Sequence, residues 1–250
     1  MKKMIITLCL FAANRGLAEV QYGYGLDLRS YPVSASASAF VNRTALVWDG
    51  RQDDQSFWKY GFYKIAAKAW AHGAVDGSVE VNPISFLQFG YLRSSTSRFY
   101  EIKPNDCLIV ECRGVLVRDQ LYANLALGYQ DWIAQLGAGQ VNYQITTSLS
   151  NFAVEGDGIL GQTQNEKSNY SSVFIGKKSD EQVLGLFAKF SQMELTKQSV
   201  QQTYFLAQKK MDNNLKAFVG LGGFKSDAFA QVFSIIGGAN WTFGESLALF

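Results

Sequence analysis

The sequence predicts an all-β protein: a single antiparallel, transmembrane up-and-down β-barrel of about 12 strands, within a range of about 8–12. Three observations lead to this fold class. Apolar and polar residues alternate with period two in many short segments. Only 18% of the residues are charged, whereas Phe, Tyr and Trp number 18, 12 and 5. The mean hydropathy is −0.03, so one apolar face is balanced by one polar face.

The N-terminus has the pattern of a secretory signal peptide. Lys2 and Lys3 precede a short apolar run at 5–13, and a small-x-small site ends at Ala18. We therefore expect a signal peptide over 1–18 and a barrel domain over 19–250. Removing the segment leaves 20 basic against 21 acidic residues, a net charge near −1, so no basic surface for nucleic acid is expected.

The alternating segments predict the strands in chain order. At the start of the mature chain, Val20, Tyr22 and Tyr24 share one face with Leu26 and Leu28. The predicted strands lie near 19–29, 38–48, 57–71, 78–93, 98–117, 121–131, 133–147, 170–178, 182–192, 199–209, 214–224 and 228–243. Short polar turns are expected at 118–120, 177–180, 212–214 and 225–227, and longer connections at 30–37, 49–56 and 149–169.

Two environments could cover the apolar face, namely lipid or a protein core. Lipid is favoured because the opposite face carries Gln, Asn, Ser, Thr and Gly rather than the Lys and Glu of a solvated surface. Aromatic residues also recur near predicted strand ends, as in an interfacial girdle: Tyr22, Trp48, Phe57, Trp58, Tyr91, Tyr129, Trp132, Tyr170 and Trp241. A secreted soluble β-sandwich or a lipocalin-like barrel is the alternative.

With its export signal, its amphipathic strands and its final Phe250, the chain resembles small bacterial outer-membrane β-barrel proteins. The resemblance is architectural and covers the mature chain. It implies a place in the outer membrane of a Gram-negative cell envelope, with membrane lipid and lipopolysaccharide as neighbours. It also implies that the C-terminal strand engages the barrel-assembly machinery, and an even strand number places both termini in the periplasm.

Charged residues on the polar face are predicted to line the barrel lumen. Inside a barrel such charges must be paired or hydrated, and they can set the ion preference of a water-filled passage. The predicted lumen-lining residues are Asp27, Arg29, Lys64, Lys68, Glu80, Glu111, Arg113, Lys189 and Lys216. The primary hypothesis for function is thus a porin-like channel for passive passage or uptake of small solutes.

Two other functions stay open. One is an outer-membrane lipid-modifying hydrolase or acyltransferase centred on His72, with Ser78 as nucleophile and Asp76 as the orienting acid. The other is a non-conducting structural or surface-interaction barrel that acts through 149–169. Catalysis is less favoured because His72 is the single histidine. No cofactor or metal is expected, since Cys107 and Cys112 point to opposite faces of a strand.

Overall fold

A computed structural model of the chain describes residues 18–30, 33–49, 60–98, 114–146, 152–154, 159–161, 165–227 and 232–244. Among these residues, no helix has the length and apolarity needed to cross a membrane. The strands are β1 (Ala18–Ser30), β2 (Val33–Asp49), β3 (Tyr60–Trp70), β4 (Ala74–Ile84), β5 (Leu87–Arg98), β6 (Gly114–Tyr129), β7 (Trp132–Thr146), β8 (Phe152–Val154), β9 (Ile159–Gly161), β10 (Asn165–Lys178), β11 (Gln182–Met193), β12 (Ser199–Lys210), β13 (Leu215–Ser226) and β14 (Val232–Phe243).

Twelve of the described strands form one closed barrel. Each strand pairs antiparallel with the strands before and after it, and β7 pairs with β10 because β8 and β9 form a separate two-stranded hairpin. The barrel closes where β1 pairs with β14 over eight positions, from Tyr22 opposite Phe243 to Arg29 opposite Ile236. The predicted all-β fold, an antiparallel up-and-down barrel of about 12 strands, is confirmed.

The two ends of the barrel differ in their connections. The start of β1 and the end of β14 lie at one end, which we call the terminal end. There, apart from the ten residues between β2 and β3, the strands are joined by short turns such as 85–86, 130–131 and 179–181. At the opposite end, which we call the loop end, 15 residues separate β5 from β6 and 18 residues separate β7 from β10. Both termini of the barrel therefore emerge on the same side, as an even number of strands requires.

The outer face of the barrel is apolar and exposed. On β1, the outward side chains are those at the even positions from Val20 to Leu28, and each is 45–60% accessible. Leu121 and Leu186 are exposed to a similar extent on β6 and β11. Such a continuous apolar exterior would be unstable in water, but it matches the hydrocarbon core of a bilayer. The sheet has no open edge, because β1 and β14 pair.

Several predicted boundaries are wrong. The predicted connections 30–37 and 149–169 are too long, because β2 begins at Val33 and β10 at Asn165. The predicted strand 78–93 is a hairpin of β4 and β5, with its turn at Ser85 and Phe86. The alternation did not reveal this turn because opposing residues, such as Val81 and Phe89, have the same parity. Conversely, the polar run at 118–120, predicted as a turn, lies inside β6. Polar residues are tolerated there because β6 is 16 residues long, and about 9–11 suffice to cross the bilayer.

Three residues of the loop-end half lie on the inner face, contrary to the pattern. Val141 and Tyr143 were expected on an apolar outer face of β7, but they are buried inside the barrel at 6% and 1% accessibility. Tyr170 was expected in an aromatic girdle, yet it packs against the interior cluster and accepts a hydrogen bond from Gln120 at 2.6 Å. Where a strand extends beyond the bilayer, its outer face meets water. The apolar residues of that part of the strand are therefore found on the inner face.

The inner wall is built from aromatic rings that lie over glycines of neighbouring strands. A Cβ added to Gly90 would come within 2.1 Å of the Tyr122 ring, and one added to Gly139 within 2.7 Å of the Tyr170 hydroxyl. The same arrangement recurs around the barrel, with Phe40 over Gly23, Phe174 over Gly185 and Phe218 over Gly238. Glycine thus supplies the space into which a flat ring packs on the concave side of the sheet.

We predict that Gly90→Ala destabilises the barrel by about 1–3 kcal/mol, the usual effect of overpacking. The added methyl group would displace the Tyr122 ring and break the hydrogen bond that its hydroxyl donates to Glu80 at 2.9 Å. The measurement is urea unfolding in lipid vesicles, followed by tryptophan fluorescence. Gly77→Ala is the matched control, because a Cβ at Gly77 meets nothing within 4 Å. Equal unfolding midpoints for the two variants would contradict the packing role of Gly90.

Candidate functional site

The candidate site is a group of charged side chains on the inner face of β1, β3 and β4, which we call the charged wall. It consists of Asp27, Lys64, Lys68, Asp76 and Glu80. The antiparallel register places Lys64 directly opposite Glu80, and Lys68 directly opposite Asp76. The two charge pairs are four residues apart along each strand, which is about 13 Å. The hairpin therefore presents two cross-strand pairs of opposite charge to the lumen, of which Lys64–Glu80 is a salt bridge.

The pair nearer the terminal end is centred on Glu80. Its Oε2 lies 3.3 Å from Lys64 Nζ, and the two side chains are 15% and 27% accessible. Glu80 also accepts hydrogen bonds from Tyr122 Oη at 2.9 Å and from Gln88 Nε2 at 3.1 Å. Asn124 Nδ2 in turn donates to Gln88 Oε1 at 2.7 Å. The carboxylate is thus held by β3, β5 and β6 together, while the pair keeps contact with water.

In the pair nearer the loop end, Lys68 and Asp76 both contact the side chain of Trp70. The indole Nε1 donates a hydrogen bond to Asp76 Oδ2 at 2.5 Å, and Lys68 Nζ lies 3.6 Å from the centroid of the same ring. The carboxylate of Asp27 on β1 also favours the charged form of Lys68. The ring face of Trp70 and the two carboxylates therefore counteract part of the desolvation of the ammonium group.

The other half of the interior is apolar at the loop end. Its core consists of inward residues of β6, β7, β11, β12 and β13, of which Met193 and Phe224 are 0% accessible: Leu116, Val141, Tyr143, Met193, Val200 and Phe224. We call this group the apolar cluster. Tyr170 packs against it, and Lys189 Nζ lies 5.1 Å from the centroid of the Tyr170 ring. The lumen therefore has one side with pairs of opposite charge and one packed side, which is apolar apart from polar groups such as Glu166, 1% accessible and opposite Tyr143.

The other predicted lumen residues have different settings. Arg29 lies at the loop end of β1, opposite Ile236. Lys189 lies on β11, which is six strands from β3 in either direction around the barrel. Lys216 lies near the terminal end of β13 and pairs with Lys210, so it borders the mouth rather than the charged wall. Glu111 and Arg113 lie outside the described residues, as do Cys107, Cys112, Phe250 and the predicted signal peptide up to residue 17.

The residues of the enzyme alternative do not form a triad. His72 is in the β3–β4 turn, where its ring lies 5.6 Å from that of Trp70. Ser78 lies on β4, six residues after His72 in the chain, and is paired with Ala66 of β3. Asp76 accepts a hydrogen bond from Trp70 and faces Lys68, so it does not orient the imidazole. Among the described residues, no three His, Cys, Asp or Glu side chains are grouped as metal ligands.

Sequence reasoning missed several members of this site. Asp76 was considered as a catalytic acid and not as the partner of Lys68. Trp70 and Tyr122 are assigned by parity to the polar faces of their strands, but neither they nor Gln88 are predicted as site residues, because aromatic and amide side chains carry no charge pattern. The contact between Tyr122 and Glu80 depends on the strand register and on a glycine. Gly90 lies opposite both residues, and because it has no side chain, the two side chains meet across it.

A closed antiparallel barrel with an apolar exterior and a polar inner wall is the architecture of bacterial outer-membrane β-barrels, and the predicted class and location are confirmed. No family model matches the chain, and no curated protein does. Solved structures with a similar fold include the β domain of the Bordetella autotransporter BrkA, with 8% identity, 92% of this chain and 100% of that chain covered, and a TM-score of 0.48.

Two further solved structures resemble the chain to a similar degree. OmpT, an outer-membrane protein of Vibrio cholerae, has 10% identity, 90% of this chain and 98% of that chain covered, and a TM-score of 0.44. The NanC porin has 9% identity, 89% of this chain and 98% of that chain covered, and a TM-score of 0.45. Identity at this level describes architecture and not activity.

We predict that Glu80→Ala destabilises the barrel by about 1–3 kcal/mol, because it removes a partly buried carboxylate that three side chains contact. Lys64 and the Tyr122 hydroxyl would lose their partner together. Thermal unfolding in detergent micelles, followed by circular dichroism, measures the change.

The matched control is Lys177→Ala, which removes an outer ion pair with Asp131 at 3.9 Å. Those side chains are 63% and 67% accessible, and an exposed pair contributes about 0–1 kcal/mol. A loss at Glu80 no larger than the loss at Lys177 would show that the inner pair is not part of a cooperative network.

Proposed function

We propose that this protein is an outer-membrane channel through which small polar solutes pass passively along the charged wall. The observation that carries this proposal is the accessibility of charges on the inner face. Lys64 remains 27% accessible and Glu80 15% accessible, although both lie inside the barrel. A charge that only locked two strands together would be expected to lose its water, whereas a hydrated charge can exchange water for a passing solute.

The asymmetry of the interior supports the same proposal. The apolar cluster excludes water on its side, since Met193 and Phe224 are fully buried. A polar solute would then be confined to the side of β1, β3 and β4. There it would meet a cation on one strand and a carboxylate on the next at each of two levels, because Lys68 faces Asp76 and Lys64 faces Glu80. Such a path carries both signs of charge and favours small, neutral or zwitterionic solutes over large ions.

Single-channel conductance in planar lipid bilayers tests the proposal. We expect discrete conductance steps from the purified, folded barrel. A folded barrel that inserts and conducts nothing would overturn the channel and favour a structural role.

Selectivity gives a sharper test of the path itself. In a KCl gradient, Lys68→Gln should shift the reversal potential toward cation selectivity, and Asp76→Asn should shift it toward anion selectivity. A unit charge about 4 Å from an ion in water contributes about 1 kcal/mol, a roughly fivefold change in local ion concentration. Lys177→Gln on the outer face is the matched control and should leave the reversal potential unchanged. Shifts of the same sign for Lys68→Gln and Asp76→Asn would exclude a path along the charged wall.

A further inference from the structure

The inner wall formed by β10 and β11 changes in accessibility along the strands. On β11, Met193 is 0% accessible near the loop end, whereas the inward Lys189 and Phe187 are only half-buried. On β10, Ser168 is 2% accessible, whereas the inward Phe174 is again half-buried. This side of the interior is therefore filled near the loop end and accessible nearer the terminal end. We call the accessible part the inner recess, and it consists of Ser172, Phe174, Phe187 and Lys189.

The half of the inner recess nearer the loop end is polar and carries a positive charge. Lys189 lies directly opposite Ser172, and its Nζ is 5.1 Å from the centroid of the Tyr170 ring. A Cβ added to Gly137 would lie 2.5 Å from Ser172 Oγ and 2.7 Å from Asn124 Oδ1, so these two polar groups come together over the glycine. An ammonium group beside a hydroxyl group is a suitable pair of donors for a carboxylate.

The half nearer the terminal end is apolar. Phe187 lies directly opposite Phe174, and the Phe174 ring occupies the space that a Cβ at Gly176 or Gly185 would need, at 2.7 and 2.6 Å. The ring therefore packs close against the wall. Inward positions two residues apart on one strand are separated by about 6.6 Å, so Phe187 lies one such step from Lys189. This spacing suits a small molecule that carries a charged group at one end and a ring at the other.

We propose that the inner recess binds a small organic anion in which a carboxylate is joined to an aromatic body. The carboxylate lies at Lys189 and Ser172, and the aromatic body packs against Phe174 and Phe187. The inference rests on the proposed function, because the solute must reach the lumen, and it adds a substrate class that the charged wall does not define. Since β11 is six strands from β3 in either direction, the recess lies across the lumen from the charged wall.

Isothermal titration calorimetry of the barrel in lipid nanodiscs, with empty nanodiscs as the reference, tests the proposal. The probes are phenylacetate, acetate, which lacks the ring, and 2-phenylethanol, which lacks the charge. We expect phenylacetate to bind more tightly than either of the others. Lys189→Gln should weaken its binding about fivefold, the effect of one opposite charge at about 4 Å in water. Phe187→Leu should weaken it about threefold, because an aromatic contact is lost.

Lys177→Gln and Phe205→Leu are the matched controls, because they make the same changes on the outer face, where these residues are 63% and 50% accessible. Both should bind phenylacetate like the unaltered protein, and heat-dependent gel mobility verifies that every variant is folded. Equal affinity in all variants, or no preference for phenylacetate over acetate, would overturn the proposal. Conductance is measured separately. A conducting barrel that binds no phenylacetate would overturn the recess alone, whereas binding lost in Lys189→Gln without any conductance would support the recess and overturn the channel.

Discussion

Closure of the backbone hydrogen bonds is the constraint on which the rest of this structure depends. A bilayer offers no water to an unpaired amide or carbonyl, so a sheet that crosses it cannot have an edge. The pairing of β1 with β14 removes both edges at once. Once the sheet is closed, side chains can only point outward to lipid or inward to the lumen. The period-two pattern of the sequence is the direct consequence of that choice.

Closure also requires curvature, and here glycine and the aromatic residues act together. A closed sheet of twelve described strands crowds the side chains on its concave face. Placing a ring over a glycine of the next strand relieves that crowding and covers backbone that would otherwise be exposed. In the case of Tyr122 over Gly90, the ring also carries its hydroxyl to Glu80, two strands away. Packing and polar contact are therefore parts of one arrangement.

The fold class and the faces of most strands could be predicted because they depend on alternation, which is local. Lys64 and Lys68 could be assigned to one face of β3 on parity alone. Their partners could not, because parity does not give register, and the Lys68–Asp76 pair exists only through the turn that joins β3 to β4. The inward position of the apolar residues in the loop-end half of β7 could not be predicted from the pattern either. It depends on where the bilayer ends along the strand, which the alternation of Val141 and Tyr143 does not record.

The wall that positions the charged pairs is lined by the same contacts between rings and glycines. Rings such as those of Tyr122 and Phe40 occupy the space that a Cβ at Gly90 and Gly23 would need, so they pack close against the wall. Larger residues at Gly90 and Gly23 would force these rings toward the barrel axis. The glycines on the inner face thus allow the rings to pack against the wall, and the charges on β3 and β4 give that wall its polar chemistry. In this barrel, the same residues that allow the sheet to curve also determine how far the side chains of the wall reach into the interior.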